Sequence, residues 1–222
     1  MNVKIPINRV ELDGILTIPE KAHGLVIFAH GSGSSRLSPR NTLVAEELNK
    51  AGLATLLFDL LTEKEDAFRE SRFNIELLTE RLALATKWVL EQPYTRHLSI
   101  GYFGASTGAA AALIAAAKLG ATIRAVVSRG GRPDLAEDGL EKILTPVLLI
   151  VGGDDTDVIK LNQISMDQMT CEKKLEIVSG ATHLFEEPET LEKVAKLAAE
   201  WFKRYLIKSS HLPEMSVEIL IT

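Results

Sequence analysis

The chain is poor in cysteine, in aromatic residues and in long apolar runs. With Cys171 as its single cysteine in 222 residues, it can form neither an internal disulfide nor a thiolate metal cluster. Aromatic residues make up 5%, too few for platforms on which nucleic-acid bases stack. Its apolar runs, such as residues 25–29, fall far short of the roughly 20 residues that span a bilayer. We therefore expect no membrane or nucleic-acid partner, no metal or other cofactor, and a cytoplasmic location.

Charge and composition agree with that expectation. The chain has 25 basic and 30 acidic side chains, and the formal charge of −5 argues against electrostatic binding of nucleic acid. Hydrophobic residues make up 46%, which is typical of a globular protein with a packed core. The first residues soon meet charges and lack the apolar stretch of a signal peptide.

Short apolar runs alternate along the chain with longer amphipathic stretches. Six runs predict strands: residues 24–30, 54–59, 98–104, 125–128, 147–151 and 174–178. Four stretches have helical spacing: residues 41–51, 73–90, 107–119 and 191–206. Because strands and helices alternate, the pattern predicts right-handed crossovers and a mostly parallel sheet.

The first and last segments depart from this alternation. Residues 3–10 and 11–18, with Asp13-Gly14 as the turn signal, predict antiparallel strands. Residues 129–146 are too few to hold an inserted cap domain between two strands. We therefore expect one α/β domain over residues 1–208, with about eight strands and helices on both faces. In the tail, residues 209–222, a strand over residues 216–222 and disorder are both open, as are a monomer and a homodimer.

The sharpest motif is Gly104-Ala-Ser-Thr-Gly108, which matches G-x-S-x-G. It follows a predicted strand and opens an alanine-rich helix, which is the context of a nucleophile elbow. Glycine two residues before and after the serine avoids a collision between strand and helix. The alternative, a serine that only caps the helix, does not need these glycines. Ser106 is therefore the candidate nucleophile.

A serine nucleophile needs a base that a third group orients. Among the five histidines, His183 lies in the loop between the last predicted strand and the last predicted helix. It also follows Ser106, as the chain order serine, acid, histidine requires.

The acid is expected at the end of the strand over residues 147–151. Asp155 fits best because it stands in a G-x-x-D-x-x-V turn, and Asp154 and Asp157 are alternatives. Asp157 is also suited to cap the next helix. The three carboxylates resemble metal ligands, but no histidine is close to them in sequence.

A glycine-rich loop, His30-Gly-Ser-Gly-Ser-Ser35, follows the first predicted parallel strand. The backbone N–H of Ser32 and that of Thr107 are the candidate donors of an oxyanion hole. His30 is predicted to hold this loop by hydrogen bonds rather than to act as the base. A phosphate or dinucleotide loop is the alternative, but neither of their glycine patterns is present.

Further segments carry a family resemblance: Ser38-Pro-Arg-Asn41, Gly101-Tyr-Phe-Gly-Ala-Ser-Thr-Gly108, Ser128-Arg-Gly-Gly-Arg-Pro-Asp134 and Ala181-Thr-His-Leu-Phe-Glu-Glu-Pro188. With the residues above, they resemble the α/β-hydrolase superfamily in its dienelactone-hydrolase-like branch. The match is closest to a hydrolase module sometimes fused to a phosphoribosyltransferase. The resemblance implies an α/β-hydrolase fold without a cap, a triad of Ser106, Asp155 and His183, and an oxyanion hole shaped by Ser32 and Thr107.

The residues and the resemblance together predict a serine hydrolase of the carboxylesterase type. It would cleave small ester, thioester or lactone substrates through an acyl-enzyme on Ser106. Dienelactone hydrolases proper carry a cysteine nucleophile at this position, so serine favours ordinary ester hydrolysis. Acyl transfer or perhydrolysis by the same triad and a catalytically silent ligand-binding protein are the alternatives.

Arginines lie near the predicted mouth of the site. Arg36 and Arg40 follow the glycine-rich loop, and Arg129 and Arg132 follow a predicted strand, at the edge of the sheet where ligands bind. They predict an anionic group, carboxylate or phosphate, on a small-molecule ester substrate. The alternative is structural pairing with acidic residues, and the candidates are Asp134, Glu186 and Glu187.

Overall fold

The computed structural model describes residues 1–207. Its strands are β1 (Asn2–Ile7), β2 (Val10–Thr17), β3 (Gly24–Ala29), β4 (Leu53–Phe58), β5 (Ser99–Ala105), β6 (Ile123–Arg129), β7 (Val147–Gly152) and β8 (Lys173–Val178). Its helices are α1 (Pro39–Lys50), α2 (Glu63–Asp66), α3 (Arg69–Arg72), α4 (Ile75–Glu91), α5 (Thr107–Leu119), α6 (Thr156–Gln168) and α7 (Thr190–Leu206). The segments Gly120–Thr122 and Pro133–Lys142 are 3-10 helices. The strand predicted over residues 216–222 lies outside the described residues.

The strands form one sheet in the order β1-β2-β4-β3-β5-β6-β7-β8. Strands β3 to β8 run parallel to one another, and β2 is antiparallel to both of its neighbours, β1 and β4. The predicted mostly parallel sheet of eight strands is therefore confirmed. Between β6 and β7 the described chain forms only the 3-10 segment Pro133–Lys142, and no cap domain is inserted there.

The turn that joins β1 to β2 differs from its prediction. It lies at Asn8-Arg9, and Asp13 and Gly14 are inside β2. Asn8 adopts a φ of 52°, the left-handed conformation that a tight hairpin turn requires and that asparagine tolerates. Gly14 serves close packing instead, because a Cβ there would lie 3.0 Å from Val3 Cγ2.

Helices cover both faces of the sheet, as predicted. On one face α4 and α5 pack a core that includes Leu82 and Val89 together with the alanines of α5. On the other face α1 and α7 pack against the sheet through residues such as Leu48 and Phe202. The nearly uncharged α5 has the predicted bounds, and its many alanines let it lie close to the strands.

This topology brings the carboxyl ends of the parallel strands to one edge. The loops after β3, β5, β6, β7 and β8 all leave the sheet there, which is where α/β proteins bind ligands. Within residues 1–207, no helix combines the length and the apolar character needed to cross a membrane.

Candidate active site

Ser106 occupies the sharp turn between the end of β5 and the start of α5. Its φ of 50° and ψ of −120° lie in a region that residues with a side chain rarely adopt. Such a conformation costs roughly 1–3 kcal/mol and persists only where the surroundings impose it. The turn places Ser106 at the carboxyl end of β5, which is the position that the nucleophile-elbow prediction requires.

Two glycines make this turn sterically possible. A Cβ at Gly104 would lie 2.4 Å from Ala109 Cα, and a Cβ at Gly108 would lie 2.2 Å from Ala29 O. Because both contacts are with backbone or α-carbon atoms, neither could be relieved by rotating a side chain. The structure thus gives a physical reason for both glycines of the G-x-S-x-G motif.

The backbone of Ser106 is braced by the loop that follows β6. Its N–H donates to Arg129 O at 3.3 Å, and its carbonyl accepts from the N–H of Arg132 at 3.2 Å. The same loop is fixed from α6, where the buried Asn162 Nδ2 donates to Gly131 O at 3.0 Å. Sequence reasoning missed Asn162. The available signal was a polar residue on an apolar stripe whose other members are Val158, Met166 and Met169.

His183 and Asp155 form a short polar contact in the site. His183 Nδ1 lies 2.6 Å from Asp155 Oδ2, so the carboxylate fixes the orientation of the ring. Neither alternative acid takes this place. Asp154 is exposed, and the side chain of Asp157 is 93% exposed and lies 3.9 Å from Lys160 Nζ.

The His183 loop is ordered by an acidic residue that sequence reasoning considered only as a partner for arginine. Glu187 accepts hydrogen bonds from Thr182 N–H at 3.1 Å and from Thr182 Oγ1 at 2.6 Å. These hydrogen bonds lower the pKa of Glu187, so the carboxylate stays charged and keeps both bonds.

Ser106 and His183 flank the Arg129–Gly130 peptide. Arg129 O accepts the N–H of Ser106, and a Cβ at Gly130 would lie 3.5 Å from both Nδ1 and Cε1 of His183. Within residues 1–207, no hydrogen bond joins the Ser106 hydroxyl to the His183 ring. Catalytic contacts of this kind often shorten only when substrate is bound. The three predicted triad residues are therefore neighbours, with the acid–base contact formed.

The two predicted oxyanion donors also come together. Ser32 N–H donates to Thr107 Oγ1 at 3.1 Å, which joins the glycine-rich loop to the start of α5. Thr107 is the first residue of α5, so its own N–H has no acceptor within the helix. An oxyanion placed here would accept a hydrogen bond directly from the Thr107 N–H. It would also accept from the Ser32 N–H, either together with the Thr107 hydroxyl or in its place.

With this geometry established, comparison with known proteins identifies the family. The model of the dienelactone hydrolase family matches residues 12–207. The chain belongs to the dienelactone hydrolase family. The resemblance drawn from the sequence is thereby confirmed, and the relatives support a hydrolase.

Solved structures agree with this assignment. A crystal structure of dienelactone hydrolase from Anabaena variabilis is 54% identical, with a TM-score of 0.91, over 93% of this chain and 97% of that one. Est1E from Butyrivibrio proteoclasticus is 18% identical with a TM-score of 0.79, over 91% of this chain and 98% of that one. At that identity Est1E supports the α/β-hydrolase fold alone.

A curated relative carries a different name. A Mycobacterium tuberculosis protein named as a phosphoribosyl transferase is 57% identical over 204 residues, which are 92% of this chain. The chain spans about half of that relative, 46% of its length.

The single thiol of this dienelactone hydrolase family member lies away from the candidate site. Cys171 precedes β8, at the amino ends of the parallel strands, whereas Ser106 lies at their carboxyl ends. Burial raises the pKa of the Cys171 thiol, which favours the unreactive protonated form. Cys171 is therefore no competitor for the role of nucleophile.

His30 has the structural role predicted for it. It is buried, its Nδ1 lies 3.0 Å from Gly31 O, and its Nε2 accepts the N–H of Leu60 at 3.0 Å. Both ring nitrogens are thus used to hold the loop that carries Ser32. Burial lowers the pKa of His30, which keeps the ring neutral and Nε2 available as an acceptor.

The arginines near the mouth of the site fall into two groups. Three form ion pairs: Arg36 with Asp59, Arg132 with Asp134, and Arg40 with Glu186 at 3.2 Å. Arg129 is buried and has no ion pair with any side chain that the structure describes. Asp59, which also accepts the N–H of Arg36 at 2.7 Å, was missed, although a carboxylate directly after a buried strand was a visible signal.

Proposed function

We propose that this protein is a serine hydrolase of the carboxylesterase type, which cleaves small ester, thioester or lactone substrates. The observation that carries the proposal is the strained Ser106 at the start of α5, beside a His183–Asp155 pair joined at 2.6 Å. The family assignment supports hydrolysis in general, and the serine in the elbow supports the esterase mechanism in particular.

In the proposed mechanism, His183 removes the proton from Ser106 Oγ as the oxygen attacks the carbonyl carbon of the substrate. Asp155, bound to Nδ1, holds the ring so that Nε2 faces the serine and stabilises the imidazolium that forms. His183 then gives its proton to the leaving alcohol. Water attacks the acyl-enzyme by the same route and releases the acid.

The oxyanion would be stabilised by the N–H groups of Thr107 and Ser32. A single donor of this kind contributes roughly 3–4 kcal/mol to transition-state stabilisation in serine hydrolases. The Thr107 hydroxyl keeps Ser32 N–H close to the start of α5 until the substrate arrives. We place this activity in the cytoplasm, in keeping with a chain whose one cysteine is half-buried.

The first test is covalent labelling with a fluorophosphonate probe, with the modified residue located by mass spectrometry. Stoichiometric labelling is expected at Ser106 and should be lost in Ser106→Ala. Ser99→Ala is the matched control because Ser99 begins the same strand at its opposite end. It should label like the original protein.

Two other outcomes would overturn the proposal. Absence of labelling in a protein shown to be folded would favour a silent ligand-binding protein. A label on a different serine would mean that the elbow does not carry the nucleophile. If Ser106 is the labelled residue, the unlabelled protein should hydrolyse acetate and butyrate esters faster than long-chain esters.

A further inference from the structure

Arg129 is a buried cation with unused hydrogen-bond donors. It is the last residue of β6, is 8% exposed, and buries Nε and Nη1 without an acceptor. Among the side chains that the structure describes, none pairs with its charge. An unpaired buried charge is costly in free energy, so such a group is normally matched by an opposite charge.

A second guanidinium strengthens the imbalance. Arg40 also buries its Nε without an acceptor, and its pairing is with Glu186, whose side chain is 63% exposed. Burial and the positive charge of Arg40 lower the pKa of Arg129 to about 10, so Arg129 is still protonated at neutral pH. Two cations therefore lie near each other, and the one carboxylate that pairs with Arg40 is solvent-exposed.

The start of α1 adds positive potential at the same place. Arg40 is the second residue of this 12-residue helix, and the first turn contains no acidic residue. The N-terminus of a helix carries a partial positive charge and favours anions, so a cation there is unfavourable unless an anion is bound nearby.

The Arg129–Arg40 pair adjoins the catalytic residues. Arg129 O accepts the N–H of Ser106, so the two residues are in direct backbone contact. The guanidinium of Arg129 lies 6.0 Å from the ring centroid of Phe185, two residues after His183. A ligand group held by this pair would therefore lie beside the segments that carry Ser106 and His183, within reach of a small ester whose acyl group is at Ser106.

We propose that Arg129 and Arg40 form a subsite for a phosphate group carried by the ester substrate. The proposal rests on the esterase function proposed for Ser106. A phosphate monoester offers three free oxygens, enough to engage both guanidinium forks once the exposed Glu186 carboxylate is displaced from Arg40, whereas a carboxylate offers two oxygens and suits a single guanidinium fork. Arg36 and Arg132 are not included because their carboxylate partners, Asp59 and Asp134, are only 19% and 15% exposed, whereas the partner of Arg40 is 63% exposed.

Binding of inorganic phosphate tests the subsite without any reaction. Calorimetric titration at pH 7.5 should show phosphate binding to the original protein, with acetate about tenfold weaker or more. Arg129→Met should weaken phosphate binding about tenfold or more, and Arg129→Lys, which keeps the charge, should weaken it less. Arg124→Gln is the matched control, since it removes one charge from the exposed amino end of the same strand.

Hydrolysis of three matched acetate esters tests the role in catalysis. The probes are 2-acetoxyethyl phosphate, 3-acetoxypropanoate and the neutral 2-methoxyethyl acetate. In each case water cleaves the acyl–oxygen bond and releases acetate and the alcohol. The ratio of kcat/KM for the phosphate ester over the neutral ester should be about ten or more in the original protein. The ratio should fall toward one in Arg129→Met and in Arg40→Gln, and it should be retained in Arg124→Gln.

Two further measurements, thermal stability and competitive inhibition by phosphate, complete the test. Removing an unpaired buried cation should leave Tm equal or higher in Arg129→Met, because no ion pair is broken. If Tm falls sharply instead, phosphate binding and the kcat/KM ratio are compared between the original protein and the variants Arg40→Gln and Arg129→Lys. Inorganic phosphate should inhibit hydrolysis of the neutral ester competitively, and Arg129→Met should raise its inhibition constant about tenfold.

The results separate this proposal from the proposed function. If neutral esters are hydrolysed but phosphate neither binds nor alters the ratio, the subsite is overturned and the esterase stands. An equal preference for the carboxylate ester, lost equally in Arg129→Met, would overturn the assignment to phosphate. If no ester is hydrolysed and Ser106 is not labelled, the esterase fails. Phosphate binding that depends on Arg129 would then support an anion site of a non-catalytic protein.

Discussion

Asp155 is one of three aspartates within four positions, yet its environment differs from that of its neighbours. Its carboxylate is held against His183, whereas Asp157 points into solvent. If Asp155 orients the catalytic ring, Asp155→Asn should lower kcat about 10³-fold or more, because an amide stabilises the wrong tautomer and cannot balance the imidazolium. The measurement is steady-state hydrolysis of a short-chain ester.

The matched control for that substitution is Asp157→Asn. It removes the same charge from the first turn of α6 and should change kcat less than about twofold, since an exposed pair with Lys160 contributes little. Comparable losses in the two variants would argue against the assignment of Asp155 as the acid. The melting temperature of each variant separates loss of activity from loss of folding.

His30 predicts a pH dependence of stability. Its pKa is lowered in the folded protein by burial, so as pH falls below about 6.5 the unfolded chain takes up a proton that the folded chain does not. The unfolded state therefore gains stability, and Tm should fall between pH 7 and pH 5. Other groups add to the total slope, so the contribution of His30 is read from a variant.

That variant is His30→Gln, whose amide oxygen can accept the N–H of Leu60 but does not titrate. Its Tm should depend less steeply on pH between 7 and 5 than that of the original protein, and the two curves should converge at low pH. His97→Gln serves as the comparison, because His97 is exposed. An unchanged slope in His30→Gln would show that His30 titrates alike in both states.

At the scale of elements, the loop after β6 links the catalytic elbow to α6. It binds the backbone of Ser106 on one side and Asn162 on the other. Asn162→Leu would leave Gly131 O without its partner and should cost about 2 kcal/mol of unfolding free energy. Because the loop also positions Ser106, the rate of fluorophosphonate labelling should fall about tenfold.

Gln163→Leu is the control for that substitution, since Gln163 is the next residue of α6 and is exposed. Urea unfolding should give nearly unchanged stability, and the labelling rate should be retained. If Asn162→Leu lowers stability but labels at the original rate, Asn162 supports the fold without positioning the nucleophile.

Much of this arrangement could be predicted from elements alone. The strand before Ser106 and the helix after it are long and distinct in composition, so the turn between them was placed correctly. What could not be predicted were contacts between side chains far apart in sequence. The bond from Ser32 N–H to Thr107 Oγ1 joins residues 75 positions apart, and no local pattern indicates it.

The β1–β2 turn shows a different limit. Asp-Gly is a strong turn signal, but Gly14 lies inside β2, where a Cβ would be 3.0 Å from the Val3 side chain of β1. Arg129 shows the same limit at the candidate site. Its sequence position predicted a place near the mouth. Its burial without a partner arises from tertiary packing, which puts its guanidinium 6.0 Å from the ring centroid of Phe185.

At the scale of the whole molecule, the sheet is the structure that both cores share. Each strand from β3 to β7 contributes residues to the core under α4 and α5 and to the core under α1 and α7. Losing one core would expose a face of this sheet to water, at a free-energy cost of about 25 cal/mol for each Å² of apolar surface. The two faces should therefore unfold together.

The two tryptophans allow this expectation to be tested, because they lie on opposite faces. Trp88 of α4 packs against one core, and Trp201 of α7 belongs to the other. In the variants Trp88→Phe and Trp201→Phe, the remaining tryptophan reports one face alone. Within each variant, urea unfolding followed by fluorescence and by circular dichroism should give one midpoint and one slope. If fluorescence changes at a lower urea concentration than circular dichroism in one variant, the core around the remaining tryptophan unfolds before the rest of the protein, and the two faces do not unfold together.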